Sequence, residues 1–182
     1  MGDPARRRAG YAEVLVAPPH RVAEVVDGTL YAQPRPALRH AQVSSVLGGE
    51  LGPPFGRGRG GPGGWILLDE PELHLGPEPD IVVPDLAGWR RVRLPELPDA
   101  PYLTLAPDWL CEVVSPSTQA HDRVRKLPLY RRDGVHHVWF VDPLAQTLEV
   151  YRLDGESYRL IATFGGDDPV RAEPFDAIAL EL

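Results

Sequence analysis

The sequence predicts an α/β protein of the α+β type: a mixed β-sheet flanked by helices, with a β-hairpin near the N-terminus. Three stretches carry that prediction. Residues 107–135, PDWLCEVVSPSTQAHDRVRKLPLYRRDGV, read as a buried strand, a helix cap and a helix. Residues 22–32 read as two β-rich runs joined by Asp27-Gly28, a hairpin signature. After residue 136, apolar runs alternate with turn dipeptides, as in an antiparallel meander.

Taken in order, residues 1–10 are expected to form a flexible tail ahead of a single domain over 11–182. Residues 11–17 read as a short helix. In the hairpin, Glu24 is expected to point outward. Residues 34–36 end the hairpin, and residues 37–51 read as a helix with Val43 and Leu47 on its apolar stripe. His40 precedes them by three and seven residues and so shares that inward face. Gly48 and Gly49 are expected to weaken the end of this helix. Residues 52–64, GPPFGRGRGGPGG, read as a flexible loop. It is not a phosphate-binding loop, because no Gly-Lys-Ser/Thr follows. Residues 65–75 and 81–83 read as successive strands, the second running into Pro84-Asp85. Proline there interrupts the ladder, which places Asp85 at a strand end or bulge. Residues 90–106 form a basic, then proline-rich, connection. Residues 109–114 are apolar except for Glu112 and suit a strand buried on both faces. Ser117 or Thr118 can cap the helix that follows, and Gly134 can end it. Pro128 lies inside that helix, so a kink or a late start is expected. Strands are expected at 137–141, 147–153, 157–164 and 178–182, with turns at Asp142-Pro143, Asp154-Gly155 and Gly165-Gly166.

The chain has 182 residues, enough for one domain with a real core. Its 21 prolines and 18 glycines argue for many turns, because apolar periodic segments lie between them. The one cysteine, Cys111, excludes an intramolecular disulfide framework and suits a reducing cytoplasm. No apolar run is long enough to span a membrane. A net charge of −7 disfavours general affinity for nucleic acid but permits a local basic cleft. Arginines cluster at 57/59, at 90/91/93 and around 123–132, and each cluster read singly is a solvated face.

The chemistry points to Asp85, Glu112 and Lys126. An ionised Glu112 inside an apolar strand needs a partner, since an uncompensated buried charge costs several kcal/mol. Lys126 on the next helix is the obvious cation, and a structural ion pair is the plainest account of the two. Arg123, Lys126 and Tyr130 recur at helical spacing on one face, which makes Arg123 and Tyr130 candidates to contact substrate. Asp85 and Glu112, from adjacent elements, can together hold a hard divalent cation such as magnesium, or manganese, with waters completing the shell. Asp80 is the competing choice for the first acid. A glycosidase would need an aromatic platform beside its acids, and Ser115 is followed by Pro116, not set in a nucleophile elbow.

These residues carry a resemblance. Pro84-Asp85, Glu112-Val-Val-Ser-Pro-Ser-Thr, then Asp122, Lys126, Tyr130, Gly134-Val135, Trp139 and Val141-Asp142-Pro143 resemble the Uma-type family of restriction endonucleases within the PD-(D/E)xK superfamily. Glu24, Asp27-Gly28, Leu30 and His40 are similar to that family too. The resemblance implies a restriction-endonuclease-like core, and Asp85 and Glu112 as metal ligands. It implies catalysis by Asp85, Glu112 and Lys126 with His40 near the site. The superfamily's lysine normally lies two residues after the second acid. Here that position is Val114, and Lys126 on the following helix stands in for it. The expectation is a magnesium-dependent endonuclease acting on DNA, as a homodimer where both strands are cut. The alternative is an inactive module of the same fold that binds nucleic acid or a protein partner.

Overall fold

The structure is a computed structural model that describes residues 8–166 and 169–180. Most of the tail expected at 1–10 thus lies outside the described residues. A short helix, α1 (Tyr11–Leu15), leads into the hairpin β1 (Arg21–Val26) and β2 (Thr29–Pro34). Asp27 and Gly28 both have positive φ, 51° and 69°, the backbone that a two-residue hairpin turn demands. Next come α2 (Leu38–Leu51), β3 (Trp65–Asp69), β4 (Leu73–Leu75), β5 (Asp80–Val82) and β6 (Leu86–Arg90). Strand β7 (Trp109–Val113) is followed by a helical segment made of α3 (Gln119–His121), a π-helical turn (Asp122–Lys126) and α4 (Leu127–Arg132). The chain then forms β8 (His137–Asp142), β9 (Thr147–Asp154) and β10 (Ser157–Gly165). Among the described residues no helix is long and apolar enough to cross a membrane.

The strands form two sheets. The smaller has the order β2-β1-β5-β4, and the larger β10-β9-β8-β7-β6-β3. In the larger sheet β7 and β8 run parallel, while its other neighbours are antiparallel. A parallel pair needs a crossover, and the helical segment at 119–132 supplies it. Alternation along β7 sends Trp109, Cys111 and Val113 to one face and Leu110 and Val114 to the other. On the first face they pack with Leu47 and Leu51 of α2, and with Phe175 from the C-terminal segment, whose ring meets Trp65, Trp109 and Trp139. On the second face Leu110 and Val114 join Val26, Leu73 and Val82 of the smaller sheet and Leu129 and Tyr130 of α4. The larger sheet is thus the middle layer, and Glu112 points to the side shared with Leu110 and Val114.

Several elements differ from the sequence expectation. The run at 65–75 is two strands in two different sheets, broken at Glu70-Pro71, where Glu70 has φ 44°. Residues 86–90 form β6, although the sequence pattern assigns no element to 86–89. With Gly48 and Gly49 inside it, α2 keeps the end that the sequence pattern predicts. It runs to Leu51 and continues through a π-helical turn, Gly52–Gly56, so the glycine-rich loop starts later than expected. Thr118 occupies the cap position of α3, but its hydroxyl makes no cap bond and instead accepts from the Ser115 N–H. Pro128 stands in the first turn of α4, directly after the π-helical turn, where a missing N–H is tolerated. Gly134 ends the segment at φ 75°. In place of a final strand at 178–182, Leu180 makes a lone bridge to Val170, and residues 181–182 lie outside the described residues.

Candidate active site

Glu112 and Lys126 meet because β7 aims one into the cleft between the sheets and the crossover helix closes over it. Lys126 Nζ lies 2.8 Å from Glu112 Oε1, and the Tyr130 hydroxyl donates to the same oxygen at 2.5 Å. Lys126 and Tyr130 are four apart, hence on one helical face. Arg123 is not on it. A π-helical turn holds more than four residues, so the widened turn rotates Arg123 away. Its guanidinium bonds Glu149 at 2.7 Å and stacks over Phe140. Tyr130 is fully buried. Neither of the two expected substrate contacts is therefore a free group on the pocket wall: one is tied to Glu149 and the other to Glu112.

Asp85 comes from the point where the chain leaves the smaller sheet for the larger. Leu86 pairs with Cys111, which sets Asp85 beside Glu112. Asp85 Oδ2 accepts the Val113 N–H at 2.7 Å, and Oδ1 lies 2.5 Å from His40 Nε2. His40 reaches it from the first turn of α2, on the inward side the sequence pattern indicates. Asp80 is elsewhere. It accepts the Asp27 N–H at 2.6 Å and binds Arg132 at 2.8 Å, locking the hairpin turn to the end of α4.

Glu24 overturns its expected outward position. It is buried, and Oε1 accepts the Val83 N–H at 2.8 Å and lies 2.9 Å from Lys126 Nζ. Its Oε2 lies 3.4 Å from His121 Nε2. The sequence did contain the signal. Strand alternation puts Glu24 on the same face as Val22 and Val26, so it is a lone charge on an apolar face, the pattern that marks Glu112. Asp122, also buried, completes the group at 3.7 Å from Lys126.

Three carboxylates, Glu24, Glu112 and Asp122, therefore surround one ammonium, with Asp85 beside Glu112. Burial pushes Glu112 well above the usual carboxylate range, against the pull of Lys126, and Asp122, Asp85 and Glu24 push the same way. Burial also raises Asp122 against Lys126. Burial acts upward on Glu24 too, but Lys126, His121 and the Val83 N–H outweigh it and hold its carboxyl at about 2. Burial pulls Lys126 down, but Glu112 and Glu24 more than compensate, so it stays a firm ammonium. Burial and Glu112 raise Tyr130, which remains a phenol able to donate.

Glu24, His40, Asp85, Glu112, Asp122 and Lys126 line one pocket of about 70 Å³. Among the described residues, no three His, Cys, Asp or Glu side chains stand ready to chelate an ion. The donor set nonetheless fits a hard cation that keeps most of its water. Two oxygen ligands from adjacent strands suffice for magnesium, and the contacts to Glu112 fall on Oε1, leaving Oε2. Asp122, Asp85 and Glu24 add to the effect of burial on Glu112, and a cation would relieve that crowding of negative charge. A larger cavity of about 320 Å³ between α2 and the β8–β9 turn contains none of these four acids. Of the basic clusters, the one at 90–93 pairs Arg93 with Asp108, and the one at 123–132 pairs Arg123 with Glu149 and Arg132 with Asp80, so part of these two is structural.

A mixed sheet with a buried acid on a central strand, a lysine on the crossover helix and a second acid at the start of the neighbouring strand defines a restriction-endonuclease-like fold. A crystal structure of "a putative nuclease belonging to DUF820" from Anabaena variabilis ATCC 29413 superposes with a TM-score of 0.64, covering 88% of this chain and 87% of that one at 23% identity. At that identity the likeness speaks for the fold. Residues 11–182 match the Uma2 family, described as "Putative restriction endonuclease", and the chain belongs to that family. No curated protein matches it.

Proposed function

We propose that this protein is a metal-dependent endonuclease that hydrolyses phosphodiester bonds in DNA. The observation that carries the reading is the convergence of Asp85, Glu112 and Lys126 from three elements in one pocket. Asp85 and Glu112 would hold magnesium, or manganese in its place. A bound ion lowers the pKa of a coordinated water and offsets charge on the phosphate. His40 and the Val113 N–H fix the Asp85 carboxylate, so its orientation is set before anything binds. Lys126, held as an ammonium, stabilises negative charge that develops on the phosphoryl oxygens and orients the attacking water. Tyr130 acts through Glu112 by donating to Oε1, and Arg123 braces the crossover helix against Glu149. Cutting both strands of a duplex calls for a second copy of the chain related by a two-fold axis.

The alternative is a nuclease-fold module without catalysis. It draws on the saturated contacts of Glu112 Oε1 and on the absence of a ready three-ligand group among the described residues. One experiment separates them. Supercoiled plasmid, linear duplex and single-stranded RNA are incubated with the wild type, Glu112→Gln and Lys126→Met, each with magnesium, manganese or chelator. Metal-dependent nicking of DNA by the wild type, lost in both variants, is expected. Equal cleavage by all three proteins, or DNA binding without cleavage under every condition, would overturn the reading.

A further inference from the structure

We propose that Glu24 is a positioning residue for Lys126: it fixes the direction of the ammonium's free N–H toward the reacting phosphate. The inference rests on the nuclease reading above. An ammonium has three donors. Two have partners at hydrogen-bond distance, Glu112 Oε1 at 2.8 Å and Glu24 Oε1 at 2.9 Å. The next acid, Asp122, is 3.7 Å away, too far for a hydrogen bond. Two bonds from two different sheets define the orientation of a tetrahedral group, so the third N–H has one direction left. Without Glu24, the ammonium would be free to swing toward Asp122, one turn back on its own helical segment.

Glu24 is itself rigidly placed. Its neighbour Val25 makes the registered pair with Ile81 that joins β1 to β5. Where that pairing stops, the Glu24 carboxylate takes the N–H of Val83, two residues before Asp85. One oxygen thus touches both the lysine and the chain that delivers the first acid. A second observation sharpens the assignment. Lys126 is the single lysine in the sequence, alongside 18 arginines, and it is only 3% exposed. An ammonium is a compact point charge with rotatable donors, whereas guanidinium is a planar fork. A lysine kept at one position, and there clamped by two carboxylates, fits a need for one aimed N–H.

The single lysine also makes the test clean. Protein grown with ¹⁵N-lysine gives one side-chain ammonium resonance, read in the wild type, Glu24→Gln, Glu24→Asp and the remote control Glu78→Gln. Glu24→Gln keeps an oxygen for the Val83 N–H but removes the charge, and Glu24→Asp keeps the charge but withdraws it by one methylene. Tryptophan fluorescence checks that each variant is folded. The expected result is a shifted or exchange-broadened resonance in both Glu24 variants and none in the control. In the cleavage assay kcat should fall about tenfold or more, with KM changed less than about twofold. Glu24→Asp should recover part of the loss. An unchanged resonance in folded Glu24→Gln, or a loss confined to KM, would overturn the proposal. If the wild type cleaves no nucleic acid, the nuclease reading fails, while the resonance still decides whether Glu24 holds the ammonium.

Discussion

The two candidate first acids, Asp80 and Asp85, are five residues apart and both follow a proline, yet their surroundings assign them different work. Changing Asp80 to Ala should damage the fold and spare the site. Asp80 accepts the Asp27 N–H at 2.6 Å and the Arg132 guanidinium at 2.8 Å. Removing the charged acceptor loses its hydrogen bond to the part-buried Asp27 N–H, worth roughly 1.5–3 kcal/mol for a bond to a charged group. Arg132 is 46% exposed and can rehydrate, so the ion pair itself adds at most about 1 kcal/mol. The sum, about 2–4 kcal/mol, corresponds to a fall in Tm of roughly 4–16 °C for a chain of this size. Changing Asp85 to Ala should abolish metal binding, since it removes one of the two proposed ligands. The assay pairs urea unfolding, followed by the buried tryptophans, with calorimetric titration of manganese into each folded variant. Wild-type metal affinity in Asp80→Ala with a lowered midpoint, and no binding in Asp85→Ala, is the expected pattern. Loss of manganese binding in a folded Asp80→Ala, with binding kept in Asp85→Ala, would refute the assignment.

Two further predictions concern stability. Glu24 is held at about 2, below its ordinary 4.5, so it favours the folded state above pH 4.5 and that contribution is lost as pH falls toward 2. Its size is about 3 kcal/mol. The raised Glu112 and Asp122 act in the opposite sense, and Glu24 helps to raise both, so the comparison is between the wild type and Glu24→Gln. The stability gap should be near its full value at pH 6 and close by pH 2, and a pH-independent gap would count against the linkage. Gly88→Ala should also destabilise, by about 1–3 kcal/mol through overpacking. A Cβ there would lie 2.8 Å from Leu67 Cδ2 and 3.2 Å from Trp109 Cε3, and an unchanged unfolding midpoint would show that those side chains yield freely.

The sequence makes Glu112 and Lys126 stand out for a local reason: each is a charge on an element that the pattern places inside. Glu24 has the same signature, but the strength of the Asp27-Gly28 turn favours an ordinary surface hairpin, and only the packing of the second sheet makes its face interior. The split of 65–75 between two sheets depends on partners remote in sequence, Val82 for Leu73 and Leu86 for Asp69, which no local pattern supplies. Strand β6 is masked by Pro84 before it and Gly88 within it. Arg123 was misplaced because helical spacing assumes an α-helix, whereas Asp122–Lys126 is a π-helical turn.

Across the centre of the smaller sheet, β1 and β5 share one registered pair, Val25–Ile81, flanked by two side-chain bonds, Glu24 to the Val83 N–H and Asp80 to the Asp27 N–H. Elements with few cross-links are the ones that open below the global unfolding free energy. If the hairpin detaches as a unit, Glu24 leaves with it while Glu112, Lys126 and the three tryptophans around Phe175 stay in the other layer. Activity would then vanish under mild denaturant before the fluorescence transition begins, and amide exchange would report the hairpin as a separate foldon. The centre would be switched off by undocking, with its acid and lysine still in place.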